Sequence, residues 1–348
     1  MIGISGRRGG SSVRKTQHGG IGSIRSKRPV RTLALGLVAA GAFTGASHAS
    51  DDKTLAQPSA APTSVARWAA TYVDFRTDID ALDRMALRSA GETREAHRRL
   101  GTHDPYKLAE GWMAYAALVA ADDPTFLKAL RKELRRSNRD KILKNIGSKP
   151  RYISNLPGAG SAVQAILRTA AADAAKMNAI GEKFRDRSYE LQETSWGVKP
   201  SRDQQERLAA FRTETKERTP QSRPAVASRG LSGPMLASAG GDWNDDWGGS
   251  SYSRRTEYQL SGPRAQPVID QILVLAAQHA LGVTEGANAE QARTLLRNDK
   301  ARQCFNWAKL HLDQCIAATR APYEEAYCLG RHGLDDVAEC VGWIAASG

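Results

Sequence analysis

The residues with the clearest chemical potential are four cysteines near the end of the 348-residue chain. All four lie within 37 residues, and they are Cys304, Cys315, Cys328 and Cys340. Zinc ligands favour a C-x2-C spacing and redox thiols a C-x-x-C spacing, and gaps of ten, twelve and eleven residues match neither. An even number of cysteines is typical of disulfides in a chain with a secretory signal, and residues 1–49 have the pattern of one. The sequence therefore predicts two structural bridges.

Helix geometry limits how these cysteines pair. If one helix contains both Cys304 and Cys315, their Cα atoms lie about 16 Å apart, whereas bridged Cα atoms lie within about 7 Å. The turn signal at Thr319–Pro322 favours an antiparallel hairpin, although Gly330 and Gly333 are expected to break its second helix and shift the phase. Two pairings remain, of which the first, nested one is favoured: Cys304–Cys340 with Cys315–Cys328, or Cys304–Cys328 with Cys315–Cys340.

Histidines offer the other candidate chemistry. His311 and His332 lie in the same cysteine-containing stretch, so a two-histidine metal site is one interpretation. We prefer the simpler interpretation, half-buried rings bonded to the backbone, and predict no metal and no cofactor. His97 and His103 cluster near a predicted helix end and are the candidates for an enzyme without a recognisable motif. The chain has no H-E-x-x-H, G-x-S-x-G or Walker loop, so no catalytic residue is predicted.

A strongly basic stretch is the best candidate for binding. Between Lys128 and Arg151 the chain has ten Lys or Arg against two acids, Glu133 and Asp140. Apolar residues recur through it at helical spacing, which predicts a cationic amphipathic region. Such a region either contacts an anionic surface or is a solvated face paired with acids of neighbouring helices. The residues predicted to bind an anionic partner are Lys128, Arg131, Lys132, Arg135, Arg136 and Arg139.

The N-terminus has the pattern of a secretory signal. Residues 1–31 contain eight basic residues and no acid, and the apolar run Thr32–Ala46 follows. Ser47 and Ala49 are small residues at the −3 and −1 places of a cleavage site, so we predict cleavage near Ala49 and a periplasmic or secreted chain. The apolar run is short for a membrane-spanning helix, and no transmembrane span is expected in the mature chain. The long basic region leaves an uncleaved anchor as the alternative.

Export changes the meaning of the net charge. The full chain carries +13, and a charge of that size invites a nucleic-acid partner. Removal of the eight basic residues of the signal lowers the charge to about +5, so nucleic acid is not predicted as a partner.

The body of the chain predicts an all-α fold. Residues 64–91 and the stretch from Ser161 to Thr194 carry apolar residues at three- and four-residue steps. The stretch Asp104–Asp122 is apolar nearly all round, which indicates a buried central helix, and no alternating strand pattern is present. We predict an N-terminal helical domain at 64–197 and a small disulfide-stapled helical module at 264–348.

Two polar stretches flank these regions. Residues 50–63 are predicted to be a flexible lead, and residues 198–263, rich in Gly, Ser and Pro, a low-complexity linker. Within the linker, DWNDDWGG spaces its acids as in a calcium-binding loop, but Trp247 stands where that loop requires glycine. Calcium is therefore not predicted, and a short tryptophan-containing motif for a partner is the alternative to a plain linker.

Two stretches carry a resemblance. GWMAYAALVAADDPTF and APYEEAYCLGRHGLDDVAEC are similar to a set of uncharacterised secreted proteins of Gram-negative bacteria. The resemblance implies an envelope location and no particular activity.

Two functional hypotheses follow. The first is a non-enzymatic envelope binding or scaffold protein whose basic region contacts a lipid headgroup, lipopolysaccharide or peptidoglycan. The second is an envelope hydrolase, or another enzyme, whose site assembles around His97 and His103. The first is favoured, and the second stays open because a missing motif does not exclude an enzyme.

Overall fold

The computed structural model describes residue 55 and residues 63–149, 151–201, 205, 208 and 258–347. The predicted signal and most of the predicted linker, with its DWNDDWGG stretch, lie outside these residues. The helices are α1 (Ser64–Asp83), α2 (Ala90–Gly101), α3 (Pro105–Ala121), α4 (Pro124–Arg136), α5 (Arg139–Ser148), α6 (Ala159–Leu191), α7 (Gln266–Ala280), α8 (Ala289–Thr294), α9 (Asp299–Ala318), α10 (Pro322–Cys328) and α11 (Asp336–Gly342). A 3₁₀ turn (Gly286–Asn288), a π-helical segment (Leu329–Asp335) and the strands β1 (Tyr258–Leu260) and β2 (Ala345–Ser347) complete the described elements. The prediction of an all-α fold is confirmed.

Aspartate and asparagine caps set where α3, α4 and α5 begin. The Asp104 side chain accepts from the backbone N–H of Lys107 at the start of α3, and Asp123 caps α4 in the same way. In both helices proline follows the cap, a position where its missing N–H costs nothing. Asn138 caps α5, so the basic stretch divides into two helices at Ser137.

Helix α3 is the central helix, as its apolar sequence predicts. It packs against α1, α7, α9 and α6. The centroid of the Trp112 ring lies 6.4 Å from the centroid of the Phe305 ring of α9. Gly111 permits the close contact with α1, because a Cβ there would stand 2.9 Å from the Tyr72 backbone nitrogen. Partners on all sides explain why the helix is apolar all round.

The residues on either side of the predicted linker share one core. The described residues from 63 to 347 belong to one compact unit, and α6 packs against α10, α11 and the π-helical segment. Glu285 also reaches across to the start of α1, where its carboxylate accepts from the backbone N–H of Ser64 at 2.9 Å. Residues 264–347 are therefore the second half of one core, not the separate module that the sequence analysis expects.

A short antiparallel ladder corrects the expectation of no strands. β1 pairs with β2 through Tyr258 opposite Ser347 and Leu260 opposite Ala345. The Gln164 side chain of α6 donates to the Tyr258 carbonyl at 2.7 Å and accepts from the Tyr258 N–H at 3.1 Å. Three-residue strands are too short for an alternating pattern to be visible in the sequence.

The cysteines form the predicted hairpin. Cys304 bonds Cys340 and Cys315 bonds Cys328, with Cα separations of 5.5 and 5.7 Å. The turn between α9 and α10 lies at Thr319–Ala321, and Pro322 opens α10. The predicted nested pairing is confirmed.

The expected break at Gly330 and Gly333 is wrong. The chain continues through them as the π-helical segment between α10 and α11. Gly330 lies against Gly181 of α6 so closely that a Cβ on Gly330 would stand 2.6 Å from the Gly181 carbonyl oxygen. These glycines therefore permit a close helix crossing and do not end the helix.

Candidate functional site

The predicted basic residues lie on one face of α4. Lys128, Arg131, Lys132, Arg135 and Arg136 are all exposed, and their spacing places them within about 140° around the helix axis. Among the described residues, no ion pair within 4.0 Å involves any of these five side chains. In the described part of the chain, these basic residues therefore do not pair with acids of neighbouring helices, which was the alternative to an anionic partner. We call these five residues the basic face.

The opposite side of α4 is buried in the core. Phe126, Leu130 and Leu134 have no exposed surface, and they pack α4 against α6 and α3. The acid within the helix, Glu133, accepts from the Tyr152 hydroxyl at 2.8 Å. The apolar stripe is thus used inside the fold, and the basic face offers charge without an apolar surface to insert into a bilayer.

Arg139, the sixth predicted residue, lies apart from this face. It is the first residue of α5 and is half-buried. The change of helix at Ser137 moves it out of the register that the sequence analysis assumed.

A second candidate site lies between the two disulfides. Nδ1 of His311 and Nδ1 of His332 each lie 2.9 Å from the same oxygen, Oδ2 of Asp336. The two rings meet edge to face with centroids 5.6 Å apart. One potential ligand atom from each of the three residues lies within 4.8 Å of the others. We call this group the His–His–Asp cluster. The expectation that both histidines bond the backbone is wrong, because both bond a carboxylate.

The π-helical segment brings the cluster onto one face. Cys328, His332, Asp336 and Cys340 follow at steps of four residues, and in an uninterrupted α-helix three such steps rotate the face by about 120°. A π-helical turn bonds residue i to i+5 and so holds one more residue than an α-helical turn. The segment at 329–335 absorbs this rotation, so all four side chains point towards α9. The sequence analysis expected the helix to break at Gly330 and Gly333, and so it did not place Asp336 on the face of His332.

The cluster opens onto a cleft of about 550 Å³. The side chains of Trp307, Gln314, Arg331 and Glu339 line it together with the cluster and both disulfides. Exposure falls from 45% at His311 to 25% at His332 and 11% at Asp336, so the carboxylate forms the floor. The cleft gives solvent direct access to the cluster.

Arginines orient the acids behind the cluster. Arg331 lies 3.1 Å from the second oxygen of Asp336, Oδ1. The neighbouring Asp335 pairs with Arg185 of α6. Burial raises the pKa of the Asp335 carboxyl, and Arg185 and Arg331 oppose that rise. Asp336 is thus held from one side by arginine and from the other by the two imidazoles.

The histidines of the enzyme hypothesis do not form an open site. His97 has no exposed surface, and His103 is 8% exposed with its Nε2 2.9 Å from Oδ2 of Asp78. Burial alone would raise the pKa of Asp78, but hydrogen bonds from His103 and Arg99 lower it. The cavity that His103 lines measures about 20 Å³, which is room for one water molecule. These contacts fit a structural link between α1 and α2 better than a substrate site.

Another perturbed carboxyl is Asp122. Burial raises its pKa to about 7, which is typical of a catalytic acid. Among the described residues, however, no hydrogen bond or ion pair joins it to His97 or His103. It ends α3 beside Asp123, the capping residue of α4, and so gives the enzyme hypothesis no second group.

A buried ion pair joins three helices. Arg76 of α1 lies 3.3 Å from Oδ1 of Asp173 in α6, with side chains 3% and 1% exposed. The Tyr72 hydroxyl donates to Oδ2 of Asp173 at 2.8 Å, and Arg76 donates to the Tyr115 hydroxyl of α3. Burial raises the pKa of the Asp173 carboxyl, while the guanidinium opposes that rise. This network lies inside the core and is structural.

No family model, curated protein or solved structure matches the chain. The fold and the two surfaces define a disulfide-bonded helical protein with a basic face and a histidine–carboxylate cleft. The resemblance to secreted proteins of Gram-negative bacteria stays a prediction.

Proposed function

We propose that this protein is a non-enzymatic binding or scaffold protein of the bacterial cell envelope, and that the basic face binds an anionic partner. The observation that supports this most is the set of five exposed cations on one helix face, none of which forms an ion pair with another described residue. A fixed group of like charges on a rigid helix attracts phosphate or carboxylate groups over several ångströms.

One further observation supports an oxidising compartment such as the envelope. Both pairs of cysteines are oxidised, and disulfides persist mainly in oxidising compartments. Among the described residues, no helix is long and apolar enough to cross a bilayer. Export with cleavage near Ala49 to the periplasm or outside is part of the proposal.

The partner carries phosphate or carboxylate groups at a surface, as lipid headgroups, lipopolysaccharide and peptidoglycan do. Because the apolar side of α4 is buried, binding is electrostatic, and salt should reverse it fully. Each basic residue near an anionic surface contributes about 1 kcal/mol.

Neutralising the basic face should abolish this binding. The variant changes Lys128, Arg131, Lys132, Arg135 and Arg136 to glutamine. We expect the affinity for the partner to fall by about three to four orders of magnitude at low salt. Co-sedimentation measures it in separate arms: vesicles containing phosphatidylglycerol, vesicles containing lipopolysaccharide, purified peptidoglycan, and neutral phosphatidylcholine vesicles.

A matched control separates the basic face from net charge. Five exposed basic residues elsewhere, none in an ion pair among the described residues, change to glutamine together: Arg84, Arg88, Lys107, Lys199 and Arg264. The control should keep most of the binding. No binding of the unaltered chain to any anionic arm at low salt would refute the proposal, and equal losses in both variants would remove the role of α4.

A further inference from the structure

We propose that the His–His–Asp cluster is a binding site for a divalent transition-metal ion, with Nδ1 of His311, Nδ1 of His332 and a carboxylate oxygen of Asp336 as its protein ligands. Two imidazoles and one carboxylate are a donor set that suits zinc and its neighbours in the first transition row. The site is separate from the basic face, and its test does not depend on the proposed function.

The geometry of the donors supports the proposal. Two separate rings direct the same type of nitrogen at one carboxylate oxygen, each at 2.9 Å. In neutral imidazoles this requires both rings to carry their single proton on Nδ1. A divalent cation would take the place of these two protons between the rings and the carboxylate.

The surroundings have the features of a metal site. Arg331 bonds the other oxygen of Asp336 at 3.1 Å, and outer partners of this kind orient ligating carboxylates. The cleft leaves one side of the cluster open to water, as in sites where three protein ligands leave a coordination position free. Glu339 lines the same cleft and adds negative charge that favours a cation.

The disulfides fix the ligands relative to each other. Cys304–Cys340 and Cys315–Cys328 join α9 to the helix opposite it at both ends of the cluster. His311 lies between the two cysteines of α9, and His332 and Asp336 lie between the other two. A ligand set held on rigid elements loses little conformational freedom on binding a metal.

Zinc binding to the metal-free, disulfide-bonded full chain tests the site. Calorimetry should show one zinc ion per chain, and substituting His311→Ala or His332→Ala should weaken zinc binding by about 100-fold or more, since even outer partners of metal ligands contribute about 10–100-fold. Gln314→Ala is the matched control: it alters the same cleft without removing a nitrogen or carboxylate ligand, and it should leave the affinity unchanged.

A spectroscopic measurement on the unaltered chain makes the test independent of any variant. In nitrogen-15 spectra of the histidine side chains, zinc should shift the Nδ1 resonances of His311 and His332 and leave those of His279 in place. No zinc binding at submillimolar metal would overturn the proposal. So would binding that both alanine variants retain, or zinc shifts at other histidines only.

Discussion

Replacing Asp173 with asparagine should lower the free energy of unfolding by about 3–5 kcal/mol, because Arg76 would remain buried and lose the Asp173 carboxylate that it pairs with. Asparagine keeps the size of the side chain, so the loss reports the charge and not a cavity. Denaturant unfolding followed by circular dichroism measures it.

A double replacement checks that mechanism. Changing Arg76→Met and Asp173→Leu together removes both charges, and such replacements of buried pairs are often neutral or stabilising. We expect the double variant to recover at least half of the stability that Asp173→Asn loses. Recovery is not complete because Tyr72 and Tyr115 lose their hydrogen-bond partners. The partly exposed pair Lys309–Asp313 is the control, and Asp313→Asn should cost less than about 1 kcal/mol. A loss under about 1 kcal/mol for Asp173→Asn would mean that water reaches the pair.

Removing the disulfides should produce the second large effect. Replacing both members of a pair with alanine avoids a free thiol and releases the loop that the bond closes. The sequence separations are 36 residues for Cys304–Cys340 and 13 for Cys315–Cys328. The chain-entropy model then gives a loss in the free energy of unfolding of about 4 kcal/mol for Cys304–Cys340 and about 3 kcal/mol for Cys315–Cys328.

The order of the two losses is the sharper part of this prediction. Unfolding of both double-alanine variants under the same conditions should show the larger loss for Cys304–Cys340. A larger loss for Cys315–Cys328 would contradict the loop-entropy account. A loss below about 1 kcal/mol for both would show that packing alone holds the hairpin.

Features that depend on nearby residues could be predicted from the sequence. Helix α3 is apolar on all sides, and Asp104 and Asp123 are followed by proline at the helix starts. These are local patterns, and the structure follows them. The rise of a helix left two disulfide pairings, and one turn signal favoured the nested one that the structure shows. The charged face of α4 was visible for the same reason, because charge spacing along one helix needs no tertiary information.

Features that depend on which elements meet could not be predicted. The apolar sequence of α3 predicts a buried central helix, but no sequence pattern states which helices from the two halves of the chain surround it. The two predicted domains therefore merge into one core in the structure. The β1–β2 pair joins residues almost ninety positions apart through strands too short to leave a pattern.

The His–His–Asp cluster could be predicted only in part. The sequence analysis noticed His311 and His332 because they share the cysteine stretch, but not Asp336. The position of Asp336 relative to the histidines depends on the π-helical segment. In that segment Gly330 crosses close to Gly181 of α6. One extra residue in a turn decides whether the carboxylate faces the histidines or points away.

Export into an oxidising compartment is the condition on which the proposed envelope function depends. The most direct measurement is the intact mass of the protein purified from its native host, with and without thiol alkylation. We predict the mass of a chain that begins at Ser50 and gains no alkyl groups, because all four cysteines are bonded. An uncleaved chain with four alkylated thiols would contradict export, and with it an anionic envelope component as the partner of the basic face.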